Sequence, residues 1–142
     1  MSEDIKMSDA AKALLATRDL GELAEKMGIK LLELSAEQTV ATMPVDGNRQ
    51  PLGLLHGGAY VVLGETLGSI SANVWAYTLG KFAVGIEVSA SHTKSATAGV
   101  VTATCTAQNL GRTLTLHEIV VRDENGDRLS TVRITNLLRE KR

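Results

Sequence analysis

The sequence predicts an α+β fold in which one long helix covers an antiparallel sheet. Three observations carry that expectation. Residues 57–77 contain no proline and are apolar on nearly every side. Residues 99–108 alternate, with Val101, Ala103, Cys105 and Ala107 on one face and Thr102, Thr104 and Thr106 on the other. Turn signals, Asn109-Leu110-Gly111 and Asn125-Gly126, punctuate the strands that follow. Strands running one after another with a single long helix among them set that helix on one face of the sheet.

Taken in order, Ser8 and Asp9 can cap a first helix whose apolar positions are Ala11, Leu14 and Leu15. Residues 20–27 read as a second short helix, stopped by Gly28. Strands are expected at 29–34 and 39–45, joined by a hairpin turn at Ser35-Ala36-Glu37. Residues 46–55 carry Gly47, Asn48, Pro51 and Gly53, which is loop chemistry. The long helix, 57–77, is expected to be buried all round. Gly64 and Gly68 lie four apart on it, and each interior glycine costs about 1 kcal/mol against alanine, which close packing would offset. Strands at 83–93, 99–108, 113–123 and 128–138 complete the sheet, and the last four residues form a solvated tail. One helix cannot close both edges of such a sheet, so self-association is expected.

Composition narrows the function. The chain has 142 residues, enough for a single domain over 1–142, with 1–28 as an N-terminal helical segment. Fifteen basic and sixteen acidic residues give a net charge of −1, and aromatics are 3%. Neither a phosphate-neutralising patch nor a base-stacking surface is supplied, so no nucleic-acid partner is expected. No membrane partner is expected either, because no apolar run is long enough to span a bilayer. The acidic start, Met1-Ser2-Glu3-Asp4, lacks the features of a signal peptide. Cys105 is the only cysteine, which suits a cytoplasmic protein.

Glu65 stands out because Val61, Val62, Leu63 and Leu67 flank it in the apolar helix. A carboxylate buried there would have a raised pKa. Such a group serves either chemistry or a structural ion pair, and pattern alone leaves both open. Ser69 lies four residues on, on the same helical face. Upstream, His56-Gly57-Gly58 opens the helix, where free backbone N–H groups and the positive dipole end form oxyanion-hole hardware. His92 ends a strand, where it can meet a ligand, whereas His117 lies mid-strand without an acidic neighbour. No His, Cys, Asp or Glu cluster has metal-ligand spacing, so no metal is expected.

The arrangement Gln50, His56-Gly57-Gly58, Glu65 and Ser69, followed by a β-meander, resembles the hotdog-fold acyl-CoA thioesterases. It is most similar to the glutamate-type branch that hydrolyses 4-hydroxybenzoyl-CoA and related aryl-CoA esters. Similar phenylacetate-pathway enzymes carry Asp at the position of Glu65. The resemblance implies a hotdog fold, an antiparallel sheet wrapped around the central helix. It makes Glu65 the nucleophile or general base and the Gly57 N–H the group that polarises the thioester carbonyl. Gln50 and His56 would position thioester and water, and Ser69 would orient water or the carboxylate. Gly58, His92, Arg112 and Thr113 fall where the family contacts acyl-CoA, which is substrate, so no separate cofactor is implied. A homodimer, doubled to a tetramer, is implied as well. Two alternatives share the fold. Hydratases and dehydratases place a catalytic His where this chain has Pro51, and acyl-CoA-binding sensor modules carry a DNA-binding domain for which 1–28 is too short.

Overall fold

The computed structural model describes residues 5–141. Residues 1–4, including the acidic start, and Arg142 lie outside the described residues. The chain forms β1 (Lys6–Met7), α1 (Asp9–Leu15), α2 (Glu22–Met27), β2 (Lys30–Leu34), β3 (Gln38–Pro44), α3 (Gly57–Thr78), β4 (Lys81–His92), β5 (Val100–Leu110), β6 (Leu114–Arg122) and β7 (Arg128–Glu140). The strands make one seven-stranded sheet in the order β1-β2-β3-β5-β6-β7-β4. Every pairing is antiparallel except β1 with β2.

Local chemistry sets the ends of these elements. Ser8 caps α1, its hydroxyl accepting from Ala11 N–H at 3.1 Å. Gly28 ends α2 in the left-handed conformation, φ +77°, open to glycine at little cost. The β2–β3 turn closes on Ser35, whose Oγ accepts from Gln38 N–H at 2.9 Å.

The sheet curls around α3. Leu63 and Leu67 are fully buried among Met43, Val101, Ala103, Ile119, Val132 and Ile134. Gly64 and Gly68 are where the helix presses hardest on β7. A Cβ at Gly64 would lie 2.5 Å from Val132 Cγ1, and one at Gly68 would lie 2.1 Å from Ile134 Cγ2. The cost of two interior glycines is thus offset by close packing against the sheet. α1 seals the other side, with Ala11 and Leu14 against Ile70 and Val74.

Four expectations are corrected. β1 has only two residues and pairs in parallel through Lys6 and Met7, too short a segment for any periodicity to reveal. Asn109 and Leu110 belong to β5 and not to a turn, because the register shift between Ala107 and Asn109 carries the strand onward. β7 runs to Glu140 and takes up half of the expected tail. Finally, α3 is not buried all round. Gly58, Val61, Val62, Thr66 and Ser69 are half-exposed and Glu65 is exposed, forming one stripe at helical spacing. That stripe adjoins β4, a twelve-residue edge strand that is largely exposed from Val84 onward.

Candidate active site

The loop before α3 is held by its own backbone. Asn48 Nδ2 donates to the Met27 and Pro44 carbonyls, both at 2.8 Å, and its carbonyl accepts from His56 N–H at 2.9 Å. Gln50 N–H donates to Leu54 O at 2.7 Å, and Gln50 Oε1 accepts from Leu52 N–H. With the oxygen so engaged, the free end of the Gln50 amide is its Nε2 donor.

His56 is the N-cap of α3. Its Nδ1 accepts from Gly58 N–H at 2.8 Å. The Gly58 N–H is thus spent inside the cap. The Gly57 N–H, one residue earlier, has no partner among the described residues. It stands at the positive end of a 22-residue helix.

His92 closes the same cleft from the end of β4. Its Nδ1 lies 2.8 Å from Ser130 Oγ, which donates its own proton to Ser91 O at 3.3 Å. Ser130 then accepts from Nδ1–H, which leaves Nε2 without a partner on the cleft side. That nitrogen lies 3.1 Å from where a Gly57 Cβ would stand. Gln50, Gly57, Tyr60, His92 and Lys94 line this cleft of about 300 Å³. Lys94 is already engaged, paired with Asp127 and, at 3.5 Å, with Asp123.

Glu65 and Ser69 occupy a second cleft, of about 350 Å³, walled by Leu20, Leu23, Val62 and Ile70 with Arg18 and Asp19 at its side. No hydrogen bond joins Glu65 to Ser69 among the described residues. Glu65 is exposed, so the expected burial of its carboxylate is corrected for the single chain. Its apolar sequence neighbours Leu63 and Leu67 point into the core, while Val61 and Val62 share the outward stripe. Arg112 and Thr113 reach neither cleft. They sit at the far end of α3, where Trp75 Nε1–H donates to Gly111 O at 2.7 Å and Lys81 Nζ to Arg112 O at 2.8 Å. Trp75 is eighteen residues from Gly57, about 27 Å along the helix axis.

The remaining nucleophile and base candidates are structural. Cys105 is fully buried, and burial pushes its thiol up to about 12. His117 is fully buried on Ala36 O at 2.9 Å, and burial holds its pKa below the usual imidazole range. No group of His, Cys, Asp and Glu able to hold a metal ion occurs among the described residues. Sequence reasoning passed over Tyr60, which is buried with an unpartnered hydroxyl and stacks on His92 at 5.0 Å between ring centroids. Its position three residues after Gly57, on the same helical face, was the available signal. Asn136 was also missed, although alternation with Ile134 and Leu138 sets it on the inward face of β7.

A carboxylate on a helix, a helix-terminal N–H and an amide donor on this scaffold are the parts that hydrolysis of an activated acyl compound requires. Comparison with known proteins identifies the family. The profile of the Thioesterase superfamily matches residues 52–130, and the chain belongs to that family as a thioester hydrolase. It is 43% identical over 125 residues to the proofreading thioesterase EntH of Cronobacter turicensis, covering 87% of this chain and 90% of the relative. Among solved structures, a thioesterase of Haemophilus influenzae superposes with a TM-score of 0.77 at 33% identity, covering 90% of this chain and 87% of that one. A thioesterase of Pseudomonas aeruginosa gives 0.78 at 34% identity, covering 90% of each.

Proposed function

We propose that this enzyme hydrolyses acyl-CoA thioesters, aryl or medium-chain, at sites each shared between two copies of the chain. The observation that carries the reading is the division of the machinery. Gln50 and Gly57 line one cleft and Glu65 and Ser69 another. Gly57 and Glu65 are eight residues apart on one helix, about 12 Å along its axis. A Glu side chain cannot span that gap to reach a carbonyl held at Gly57, since reacting atoms must approach within about 3–3.5 Å. A two-fold axis that runs two α3 helices antiparallel sets Glu65 of each copy against Gly57 of the other. The exposed stripe of α3 and the open edge of β4 supply the surfaces for that contact.

In this arrangement the thioester oxygen accepts from the Gly57 N–H and the Gln50 amide, which stabilise the charge that develops on it. Glu65 of the second copy acts on the carbonyl carbon. As a nucleophile it forms an anhydride and expels the CoA thiolate, and water then releases the acid. As a base it takes a proton from water, which attacks the carbon directly; the C–S bond then breaks, releasing the acid and the CoA thiolate, which takes up the proton. Ser69 Oγ holds the water or the carboxylate. The cleft around Glu65, walled by leucine, valine and isoleucine, takes the acyl group. The dimer doubles to a tetramer, and the enzyme works in the cytoplasm.

The test is thiol release from a panel of benzoyl-, hydroxybenzoyl- and straight-chain CoA thioesters. The reading expects turnover with at least one aryl or medium-chain ester. Tight binding without turnover across the panel would make the chain an acyl-CoA-binding module instead.

A further inference from the structure

His92 is exposed at the end of β4, an edge strand, yet three groups fix its ring. Across the ladder, fully buried Ser130 holds Nδ1 at 2.8 Å. One hydrogen bond leaves an imidazole free to swing, because the torsion that turns it is broad. Tyr60 removes that freedom. Its ring stacks on the imidazole with centroids 5.0 Å apart and planes tilted by 33°. The Cδ2–Nε2 edge lies against Gly57, where a Cβ would come within 3.1 Å of both atoms. The φ of Gly57 is not left-handed, so the imidazole and not the backbone demands glycine there.

Tyr60 itself belongs to the core beneath α3. Its hydroxyl has no partner among the described residues, and burial first and the Asp123 charge second push its pKa up. The phenol therefore stays neutral and bonds to nothing. What it offers the cleft is the ring.

The nitrogen held in this way is an acceptor. With Nδ1–H on Ser130, Nε2 of the neutral ring has a lone pair and no partner. A thioester whose carbonyl oxygen sits on the Gly57 N–H offers it no donor, since the carbonyl carbon, oxygen and sulfur carry no hydrogen. The acyl group lies away from it, in the Glu65 cleft of the second copy. The thiol arm of CoA does carry a donor, an amide N–H two methylenes beyond the sulfur. Gln50, Gly57 and His92 line one cleft, so an arm leaving the carbonyl site passes His92. We infer that Tyr60 is a positioning residue for His92, holding Nε2 to accept the first amide N–H of the substrate's thiol arm; this rests on the reading of the Gly57 cleft as the carbonyl site of an acyl-CoA thioester.

The test uses two thioesters of one acyl group. The N-acetylcysteamine ester keeps that amide, and the S-pentyl ester has the same length without it. The unaltered enzyme should prefer the amide ester roughly tenfold in kcat/KM, the scale of one hydrogen bond, and chiefly through KM. His92→Phe should erase the preference. Tyr60→Leu should cut it severalfold, and Tyr60→Phe, which keeps the ring, should restore it. A merely structural loss at Tyr60 would slow both esters alike and leave the preference standing. An undiminished preference in His92→Phe or in Tyr60→Leu would overturn the inference, as would a preference lost in Tyr60→Phe. Should Tyr60→Leu fail to fold, Tyr60→Met takes its place, and His92→Phe, at an exposed position, still decides whether the amide is read. Gly57→Val is run alongside. If it stays fully active, the reading of the cleft itself fails; if it is dead while His92→Phe keeps the preference, only this inference fails.

Discussion

Shared sites make a quantitative demand on mixed dimers. Glu65→Gln removes the acting carboxylate but keeps its size, and should abolish nearly all turnover. Gly57→Val removes the other half of the site. Its Cβ would stand 3.1 Å from His92 Cδ2 and Nε2, and its methyls would fill the ground that the thioester carbonyl needs. Each homodimer is then dead at both sites. In a hybrid, Gly57 of the first variant meets Glu65 of the second, so one of the two sites is complete. Random co-refolding makes about half the dimers hybrid, so an equal mixture should recover about a quarter of wild-type activity per chain. The assay is initial-rate thiol release after co-refolding, with hybrids quantified by a charge tag on one variant. A purified hybrid should reach about half the wild-type kcat at unchanged KM. Verified hybrids with no recovered activity would refute the argument from the 12 Å helix separation, as would full activity in a monomer by light scattering.

Four further outcomes follow from the same geometry. Ser69→Ala should cost roughly 10–100-fold in kcat, the scale of a hydrogen bond to a charged group, and a wild-type value would reduce Ser69 to a packing residue. Arg112→Ala should raise KM more than it lowers kcat if the CoA phosphates reach the far end of α3, and KM unchanged at low salt would remove Arg112 from the binding surface. Gly68→Ala should destabilise the fold by about 1–2 kcal/mol in urea unfolding, because the overpacking cost outweighs the helix-propensity gain, and a stabilised variant would show that α3 stands off β7. His117 should make the fold acid-sensitive. Its pKa is lowered by burial, so the unfolded chain takes up the proton first as pH falls through about 6.5, and stability drops below that pH. The slope of stability against pH between 7 and 5 should flatten in His117→Gln.

Much of this architecture is legible in the sequence because it is written in local terms. The long helix ends within a residue of its expected limits, since His56 caps it and Gly80 follows its last turn. The alternation in β5 puts Cys105 in the core as expected. Gln50, Gly57 and His92 fall together, as do Glu65 and Ser69. What could not be read is the outward direction of Glu65. Apolar Val61 and Val62 beside it share an exposed stripe, a pattern indistinguishable in one dimension from a buried helix. The pairing of Gly85 with Asn136 was equally hidden, since β4 and β7 meet across some fifty residues.

The burial of Cys105 has a practical consequence. The enzyme's product is a thiol, and the reagents that detect a thiol also attack exposed cysteines. Here the protein's one sulfhydryl is shut inside the sheet, against Ser71 Oγ at 3.8 Å, with its ionisation pushed up to about 12. At neutral pH almost none of it is thiolate, the form that reacts. Disulfide reagents in the assay should therefore count only the product, and a burst of colour from the protein alone would signal unfolded chains.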